Sequence, residues 1–348
     1  MVIRLINMLY NKCYGKMNGK NELEASLAAR VARLYYEKEL SIAEIGDLLG
    51  ISRQRCSRIL KKAKDTGIVQ IKIFEPEQTR VSELEEYFLK TFPLKKVIVV
   101  EVFSENSDLI RKSVGEAGAN LFYNLLKPRY KIGMAYGRTL LYLVRYVRPK
   151  NNEFTNLGIV QIMGGLSRIS ADIVATEIHK RLAEILSAQV YYLPAPAFTR
   201  DKATRDAMLT DDTIKATLSE RIDIALVGIG GVSSDSTLIS TGAITPNEYI
   251  ELQEKKAVGD ICGNYYDING LTINFSGNER RIAFSLEQLK QCPYVIGVAG
   301  GFEKKDAILG ALNGNFINVL VVDNLTAMLI KKQIEIDGTG NKNNRQQT

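Results

Sequence analysis

Two short runs of apolar residues at helical spacing lie near the start of the chain, on either side of Gly50. Apolar residues three and four positions apart share one face of a helix, so each run predicts a short amphipathic helix. The residues expected on the inner faces are Ile42, Ile45, Leu48 and Leu49 in the first run and Cys56, Ile59, Leu60 and Ala63 in the second. The pattern over residues 41–66 therefore predicts two helices joined by a tight turn.

Capping residues mark the beginning of both predicted helices. Ser41 precedes Glu44 by three positions, which is the spacing of a capping box, and Ser52 precedes the second run as another N-cap. Gly50 supplies the backbone freedom that the turn between them needs. This combination is typical of a helix-turn-helix.

The outward face of the second helix is rich in positive charge. Between Ser52 and Thr66 six residues are basic and one is acidic. Arg and Gln side chains near the start of such a helix can pair with guanine and adenine edges, while Lys side chains hold phosphates. The residues expected to contact double-stranded operator DNA are Ser52, Arg53, Gln54, Ser57, Arg58, Lys61 and Lys62. The alternative is an ordinary solvated face in a three-helix bundle.

The flanking segments complete a small domain. Apolar spacing predicts a supporting helix over about residues 25–38, and alternation over residues 68–74 predicts a strand, which favours a winged variant. We expect the DNA-binding domain to cover residues 23–75. A disordered extension is expected over residues 1–22.

From residue 96 onward apolar runs alternate with amphipathic stretches, which predicts parallel strands with crossover helices. The expected strands lie within residues 97–102, 130–135, 157–163, 224–230, 294–301 and 317–323. The expected fold class is α/β, with a Rossmann-like parallel-sheet domain over residues 96–332. A linker helix over residues 76–95 is expected before it and a flexible polar tail over residues 333–348 after it.

Composition narrows the class of protein. With 348 residues, of which 45% are hydrophobic, the chain can bury one large core and a small second one. The net charge of +7 is compatible with a polyanionic partner, and no run of about 18 apolar residues predicts a membrane span. The four cysteines lie far apart without metal-ligand spacing. A reducing cytoplasm and the absence of a metal site are therefore expected.

Glycines and polar residues concentrate at the carboxyl ends of the expected strands, the edge where parallel sheets bind ligands. The stretch from Gly133 to Thr139 suits a phosphate, because its glycines admit close backbone approach, Thr139 offers a hydroxyl and Arg138 a charge. Gly164 and Gly165 form a similar turn after the next strand. The alternative is that these are strand-to-helix turns that bind nothing.

The glycines at residues 228–231 do not form a dinucleotide site. They lack the spaced third glycine that would open a helix, and no acidic residue closes a following strand about 20 residues on. No nicotinamide or other cofactor is therefore expected.

Several longer motifs occur in a familiar order. They are LYYEKELSIAEIGDLLGISRQRCSRILKKAKDTGIVQIKI near the start, YLPAPAF at 192–198, IALVGIG at 224–230, AVGDICGNYYDINGL at 257–271, VAGGFEKKDAILGAL at 298–312 and INVLVVDNLTA at 317–327. Together they strongly resemble the SorC/DeoR-type sugar-responsive bacterial transcriptional regulators, over about residues 25–330.

The resemblance implies a winged helix-turn-helix fused to a phosphosugar-isomerase-like domain. Such a protein would act as a homodimer or homotetramer on operator DNA, expected here as a repressor, and a phosphorylated sugar would control it. The family's phosphate loop falls on residues 135–139, which are Ala135, Tyr136, Gly137, Arg138 and Thr139. Its acidic position falls on Asp260 and its lysine on Lys304. Asp260 as a helix N-cap and Lys304 as a solvated helix charge are the alternatives.

The sequence departs from the family in the ligand region. Tyr136 and Arg138 are bulkier than the residues that many relatives carry there. Met163 occupies a place where some relatives present a charged side chain, so an imine with an open-chain sugar at that position is excluded. Gln161, one alternate step away on the same strand, is a candidate for a hydrogen bond to the sugar.

The sequence also admits two other classes of function. A sugar-phosphate isomerase or deaminase could use Asp260 and Lys304 as base and acid, but such chemistry usually recruits His or paired carboxylates, and the one histidine, His179, lies on a predicted helix. An architectural nucleic-acid protein would not need the glycine turns of the larger half. The sequence therefore favours a cytoplasmic regulator of carbohydrate genes and not an enzyme.

Overall fold

A computed structural model describes residues 19–69, 78–148, 154–166 and 175–344. The chain divides into two compact units, and the division falls between Pro76 and Glu77. Within the described residues no helix combines the length and the apolar character that crossing a bilayer requires.

The first unit contains the helices α1 (Gly19–Tyr36), α2 (Ile42–Leu49) and α3 (Arg53–Asp65). Their shared core is small and consists of Val31, Ala32, Ile45, Cys56 and Leu60. The helix-turn-helix that the apolar spacing predicts is therefore present.

The predicted caps of this unit are also present. The Ser41 hydroxyl accepts the Glu44 backbone N–H at 3.3 Å, and the Glu44 carboxylate accepts the Ser41 backbone N–H at 2.8 Å. Gly50 ends α2 in the left-handed region with φ of 65°. The Ser52 hydroxyl accepts the Arg55 backbone N–H at 3.3 Å and begins α3.

The prediction that Leu48 faces the core of this unit is wrong. Leu48 is 62% exposed, because the buried side of α2 runs through Ile45 and Gly46. A side chain at residue 46 would meet the Ile51 carbonyl oxygen at 2.8 Å, so this glycine allows the turn to pack directly against the helix and leaves Leu48 on the outer side.

The ends of the unit differ from the expectation or lie outside the described residues. Helix α1 already begins at Gly19, so residues 19–22 are helical and do not belong to a disordered extension. Most residues that follow Asn21 are strong helix formers, which accounts for the early start. Residues 1–18, and most of the strand predicted over residues 68–74 with its wing, lie outside the described residues.

The second unit is built on a seven-stranded parallel sheet. Its strands are β1 (Lys96–Val100), β2 (Lys131–Met134), β3 (Gly158–Gln161), β4 (Gln189–Tyr191), β5 (Ile224–Gly228), β9 (Tyr294–Val298) and β10 (Val319–Asp323). They lie in the order β1-β10-β9-β5-β2-β3-β4. The central strands are buried along most of their length, as expected where helices cover both faces.

Helices connect and cover these strands. They are α4 (Gln78–Thr91), α5 (Ser107–Leu125), α6 (Arg138–Tyr146), α7 (Ala175–Leu186), α8 (Lys202–Met208), α9 (Asp212–Leu218), α10 (Thr237–Ser240), α11 (Pro246–Glu254), α12 (Leu286–Lys290), α13 (Lys305–Asn313) and α14 (Asn324–Asn344), with 3-10 turns at Ser276–Arg280 and Phe302–Lys304. Helix α4 contributes Leu84 and Phe88 to the main core, which explains the apolar spacing of the predicted linker helix.

A small antiparallel sheet that the sequence does not predict lies beside the parallel one. It contains β6 (Gly230–Gly231), β7 (Gly259–Ile261) and β8 (Asn264–Tyr266) in that order. These strands have two or three residues each, which is too short for an alternating pattern to be visible. The edge strand β4 was missed for the same reason.

The structure differs from the flexible tail that is expected from residue 333 onward. Helix α14 continues through this point to Asn344. The residue Ile334 packs against the main core one turn after the buried Ile330, and Lys331 lies 3.9 Å from Glu335 as an i,i+4 ion pair. These contacts extend the helix into a segment whose composition alone suggested a loose chain.

Candidate DNA-binding surface and effector cavity

The predicted DNA-contacting residues all lie exposed on or immediately before α3. They are Ser52, Arg53, Gln54, Ser57, Arg58, Lys61 and Lys62. The opposite side of the helix is held by the buried residues Cys56, Leu60 and Ala63, so the polar face is fixed in orientation by packing. The Ser52 hydroxyl also serves as the N-cap of the helix.

Arg55 on the same helix is a further candidate for DNA contact that the spacing argument does not include. Its side chain is exposed, as are those of its neighbours Arg53 and Gln54. On a helical projection Arg55 lies about 100° from Gln54 on the side away from Arg53, so the three side chains span much of the exposed surface of the first turn. The sequence feature that points to Arg55 is its place among the six basic residues between Ser52 and Thr66.

The larger unit contains a cavity of about 430 Å³ at the carboxyl ends of β2, β5 and β9. These are neighbouring strands of the sheet, and the segments that follow them supply most of the wall. Of the eleven predicted ligand-binding residues, seven line this cavity: Ala135, Tyr136, Gly137, Arg138, Thr139, Asp260 and Lys304. The cavity thus brings together residues from three separate parts of the sequence.

The beginning of α6 forms one wall of the cavity. Gly137 is the N-cap, with φ of 154°, and no side chain caps the helix. The first backbone hydrogen bond of the helix runs from the Leu141 N–H to the Gly137 carbonyl at 2.9 Å, so the N–H groups of the first turn before it are not used within the helix. Backbone N–H groups at a helix N-terminus favour an anion.

Asp260 enters the cavity from β7, where it stands opposite Gly230 in the antiparallel pair. A Cβ atom at residue 230 would collide with the Asp260 carboxylate, so glycine at this position leaves the carboxylate its place. One carboxylate oxygen accepts the Gly263 backbone N–H at 3.0 Å. Burial raises the pKa of Asp260, while the Gly263 hydrogen bond and the Lys304 charge act in the opposite direction. Asp260 is therefore a strand residue and not a helix N-cap.

Lys304 ends the 3-10 turn Phe302–Lys304 and lines the same cavity. Its ammonium lies 3.6 Å from the place that a Cβ atom of Gly231 would occupy. Burial lowers the pKa of Lys304, and the nearby Asp260 carboxylate partly offsets this. The lysine is thus a cavity residue and not a solvated helix charge.

Four of the predicted residues do not line this cavity. Gly133 is buried in β2, where a Cβ atom would meet Ile162 at 2.8 Å, so its role is close packing. The Gln161 amide is used internally, since it donates to the Met163 carbonyl at 2.8 Å and accepts the Leu193 N–H at 3.3 Å. The structure therefore gives no support to their assignment as ligand contacts.

The two glycines after β3 are also placed elsewhere. A Cβ atom at Gly164 would meet the Pro196 carbonyl oxygen at 2.5 Å, so this glycine is required for chain packing. Gly165 lines a second, smaller cavity of about 200 Å³. Similar turns after parallel strands thus serve different purposes.

The departures from the family pattern shape one side of the cavity. The Tyr136 hydroxyl donates to the Gly164 carbonyl at 2.9 Å, which ties the ring into the wall. Burial raises the pKa of Tyr136 well above its usual value, so the phenol stays neutral. Met163 contributes an apolar contact to the same cavity.

Several lining residues were not predicted from the sequence. Arg111 on α5 contributes a cation, and the segment after β6 contributes Ser233, Asp235 and Ser236, while Glu303 adds a carboxylate beside Lys304. Arg111 offers no motif, because it is one charged residue on an amphipathic helix. The serines lie within five residues of the glycines at 228–231, and this proximity is the sequence feature that points to them.

His179 lies in the interior and outside the cavity. His179 is fully buried, and its Nε2 lies 2.7 Å from the Met134 carbonyl oxygen, to which it donates. It therefore holds α7 against β2 and does not face the cavity. Among the described residues no group of three or more His, Cys, Asp and Glu side chains could hold a metal ion.

Comparison with known proteins supports each unit separately. The sugar-binding domain family model matches residues 76–331, and a sigma-70 region 4 model, a helix-turn-helix, matches residues 28–65. The sorbitol operon regulator of Klebsiella pneumoniae is 32% identical over 321 residues, which cover 90% of this chain and 100% of that protein. The deoxyribonucleoside regulator of Bacillus subtilis is 30% identical over 305 residues, which cover 86% of this chain and 96% of that protein.

Solved structures show the same architecture. The full-length sorbitol operon regulator SorC from Klebsiella pneumoniae superposes with a TM-score of 0.72 at 30% identity, covering 90% of this chain and 99% of that chain. A DNA-binding helix-turn-helix joined to a sugar-binding parallel-sheet domain defines a ligand-responsive transcriptional regulator. The chain belongs to the SorC/DeoR-type family of sugar-binding transcriptional regulators. The resemblance noted from the sequence motifs is thereby confirmed, and the enzyme alternative is not favoured, since these relatives are regulators.

Proposed function

We propose that this regulator binds a phosphorylated sugar in the cavity of its larger unit. The phosphate would lie at the N-terminus of α6, against the backbone N–H groups of Arg138 and Thr139, and the sugar hydroxyls would bond to Asp260 and Lys304. The observation that carries the proposal is the uncapped start of α6 within the cavity that Asp260 and Lys304 also line. A phosphate ester suits this combination, because it needs N–H donors at one end and mixed donors and acceptors at the other.

On the DNA side, we propose that α3 enters the major groove of an operator. Arg53, Gln54, Ser57 and Arg58 would contact base edges, and Lys61 and Lys62 would contact phosphates. Helix-turn-helix proteins generally read two half-sites with two copies, so the active species would be a homodimer or a homotetramer in the cytoplasm. Repression of carbohydrate genes, relieved or changed by the sugar phosphate, is the proposed outcome.

The test measures DNA affinity with and without candidate effectors. Fluorescence anisotropy on a duplex from the gene's own upstream region gives the Kd, at moderate salt and with a panel of pentoses and hexoses and their phosphate esters. At least one ester should change the Kd by about 5- to 150-fold, and its neutral parent sugar should not. No discrete complex, or no effect of any ester, would contradict the proposal.

A matched pair of lysine variants sharpens this test. Lys304→Met should keep DNA binding and lose the response to the effective ester, because its ammonium lines the cavity. Lys305→Met is the control, since the next lysine lies 3.3 Å from the Asp306 carboxylate and does not line the cavity. Equal responses from both variants would show that Lys304 does not contact the effector.

A further inference from the structure

Ser236 carries a buried hydroxyl that the protein itself does not use. Among the described residues, its Oγ is the buried side-chain polar atom for which no hydrogen-bond partner is found. Ser236 stands at the N-cap position of the short helix α10, where a serine ordinarily accepts a backbone N–H, but no side-chain capping bond is present. Buried hydroxyls without a partner are rare and unfavourable, so this one needs an explanation.

The segment that carries Ser236 is held in place by other contacts. The Ser233 hydroxyl donates to the Asp235 carboxylate at 2.6 Å. The Arg138 guanidinium, from the start of α6, donates to the Asp235 carbonyl at 3.4 Å. These bonds fix the segment beside the first turn of α6, and they do not involve the Ser236 hydroxyl.

The cavity that Ser236 lines carries charges of both signs. Three cations line it, Arg111, Arg138 and Lys304, together with the carboxylates of Asp235, Asp260, Glu303 and Asp306. Both arginines lower the pKa of Lys304, and Arg138 and Lys304 both lower the pKa of Asp235, which places these groups within electrostatic reach of one another. The nearest carboxylate to Arg111 is Asp108 at 3.7 Å, one helical turn away, and this distance is too long for a hydrogen bond.

We propose that Ser236 is a ligand-binding residue whose hydroxyl donates a hydrogen bond to the effector's phosphate, beside the N-terminus of α6. This assignment rests on the proposed function and extends it, because it adds a side-chain donor to the phosphate site. Backbone N–H groups of α6 and the Ser236 hydroxyl would then donate to the same group. A neutral sugar would leave this hydroxyl unmatched, so Ser236 selects for a phosphate ester over the parent sugar.

The proposal separates a binding role from a structural one. A serine hydroxyl that stabilises the fold loses a hydrogen bond when the residue becomes alanine, whereas the Ser236 hydroxyl makes none to the described protein atoms. Ser236→Ala should therefore leave the thermal midpoint Tm of the free protein at least as high as in the wild type. The substitution should reduce only the stabilisation that phosphate gives to the protein.

The experiment uses inorganic phosphate as the probe on the full chain. Tm is measured against phosphate concentration, at constant ionic strength, for the wild type, Ser236→Ala and Ser240→Ala. Ser240 lies on the same short helix but does not line the cavity, so it controls for the chemical change. The apparent Kd for phosphate should weaken by about tenfold or more in Ser236→Ala and stay unchanged in Ser240→Ala.

Each outcome is decisive. Equal phosphate responses in all three proteins would overturn the role of Ser236 and leave the proposed function standing. A lower Tm of free Ser236→Ala than of free wild type would show a structural role and overturn the proposal as well. A wild type that gains no stability from phosphate or from any sugar phosphate would overturn the proposed function itself, together with the inference that rests on it.

Discussion

The two candidate sites of this protein place their charges in opposite surroundings. The candidate DNA-binding residues lie exposed within residues 52–62, on a single helix and its N-cap. The effector cavity gathers residues from position 111 to position 306, and it holds Asp260 and Lys304 in surroundings that shift their pKa values. We therefore expect exchanges of the exposed charges to affect binding alone, and exchanges of the buried charges to affect both binding and stability.

The largest expected effect concerns a buried ion pair of the larger unit. The Arg280 guanidinium donates to both oxygens of Glu248, at 2.9 and 2.6 Å, and their side chains are 16% and 7% exposed. Arg280→Ala should lower the free energy of unfolding of this unit by about 3 to 5 kcal/mol, because it leaves the Glu248 carboxylate buried without its cation. Urea unfolding, followed by circular dichroism, measures the change.

The control for this prediction is an exposed pair in the same unit. Arg200 lies 2.9 Å from the Asp201 carboxylate, but its side chain is 87% exposed. Arg200→Ala should therefore change the stability little. Similar losses of unfolding free energy in both variants would contradict the expected difference between buried and exposed charges.

A smaller effect is expected at the DNA-binding face. Arg58→Ala should weaken binding to the specific operator by about 1 to 3 kcal/mol and weaken binding to random DNA less, because the proposed contact reads a base edge. Lys61→Ala should weaken both by similar amounts. Since Arg58 is exposed, the unfolding transition should not move. Anisotropy titrations on the two duplexes measure this, and equal losses on both for Arg58→Ala would contradict its role.

The smallest effect is a pH dependence of stability. Burial raises the pKa of Asp260 above its usual value of 3.8, so the folded protein keeps a proton that the unfolded chain has already released. Between these two pKa values the free energy of unfolding falls as pH rises, and Asp260→Asn should remove this fall. Urea titrations at a series of pH values from about pH 4 upward measure the slope.

Asp235, in the same cavity, should give a pH dependence of stability with the opposite sign. Its hydrogen bond from Ser233 lowers the pKa of Asp235, so the contribution of this carboxylate is present above the ordinary pKa and is lost as pH falls through the lowered one. Asp235→Asn should therefore remove a loss of stability at acidic pH. If the two asparagine variants changed the pH profile in the same direction, the assigned environments would be wrong.

The exposed site was largely predictable from the sequence, whereas the cavity was predictable only in part. On a helix, sequence spacing fixes which side chains share a face, so the caps at Ser41 and Ser52 and the polar face of α3 followed from the residues. Leu48 was misassigned, because the decisive contact is the approach of the Ile51 carbonyl to Gly46, and spacing cannot show it.

Predicting the residues of the cavity requires knowing which loops meet in the fold. The phosphate loop at residues 135–139 was visible because it follows a strand directly. Arg111 lies on a helix from a different part of the chain, and Ser236 follows a two-residue strand, so neither has a local pattern that points to the cavity. Gln161 and Gly164 looked suitable in type, but their polar groups or their backbone are used by neighbouring segments.

The pairing of Gly230 with Asp260 has a consequence for how this protein can change over generations. The Asp260 carboxylate occupies the space that a side chain at residue 230 would fill. One added methyl group at residue 230 would displace the carboxylate, although that residue bears no charge and offers no side-chain hydrogen bond. Under the proposed function, a regulator that no longer responds to its metabolite can therefore arise from a single substitution at an uncharged position.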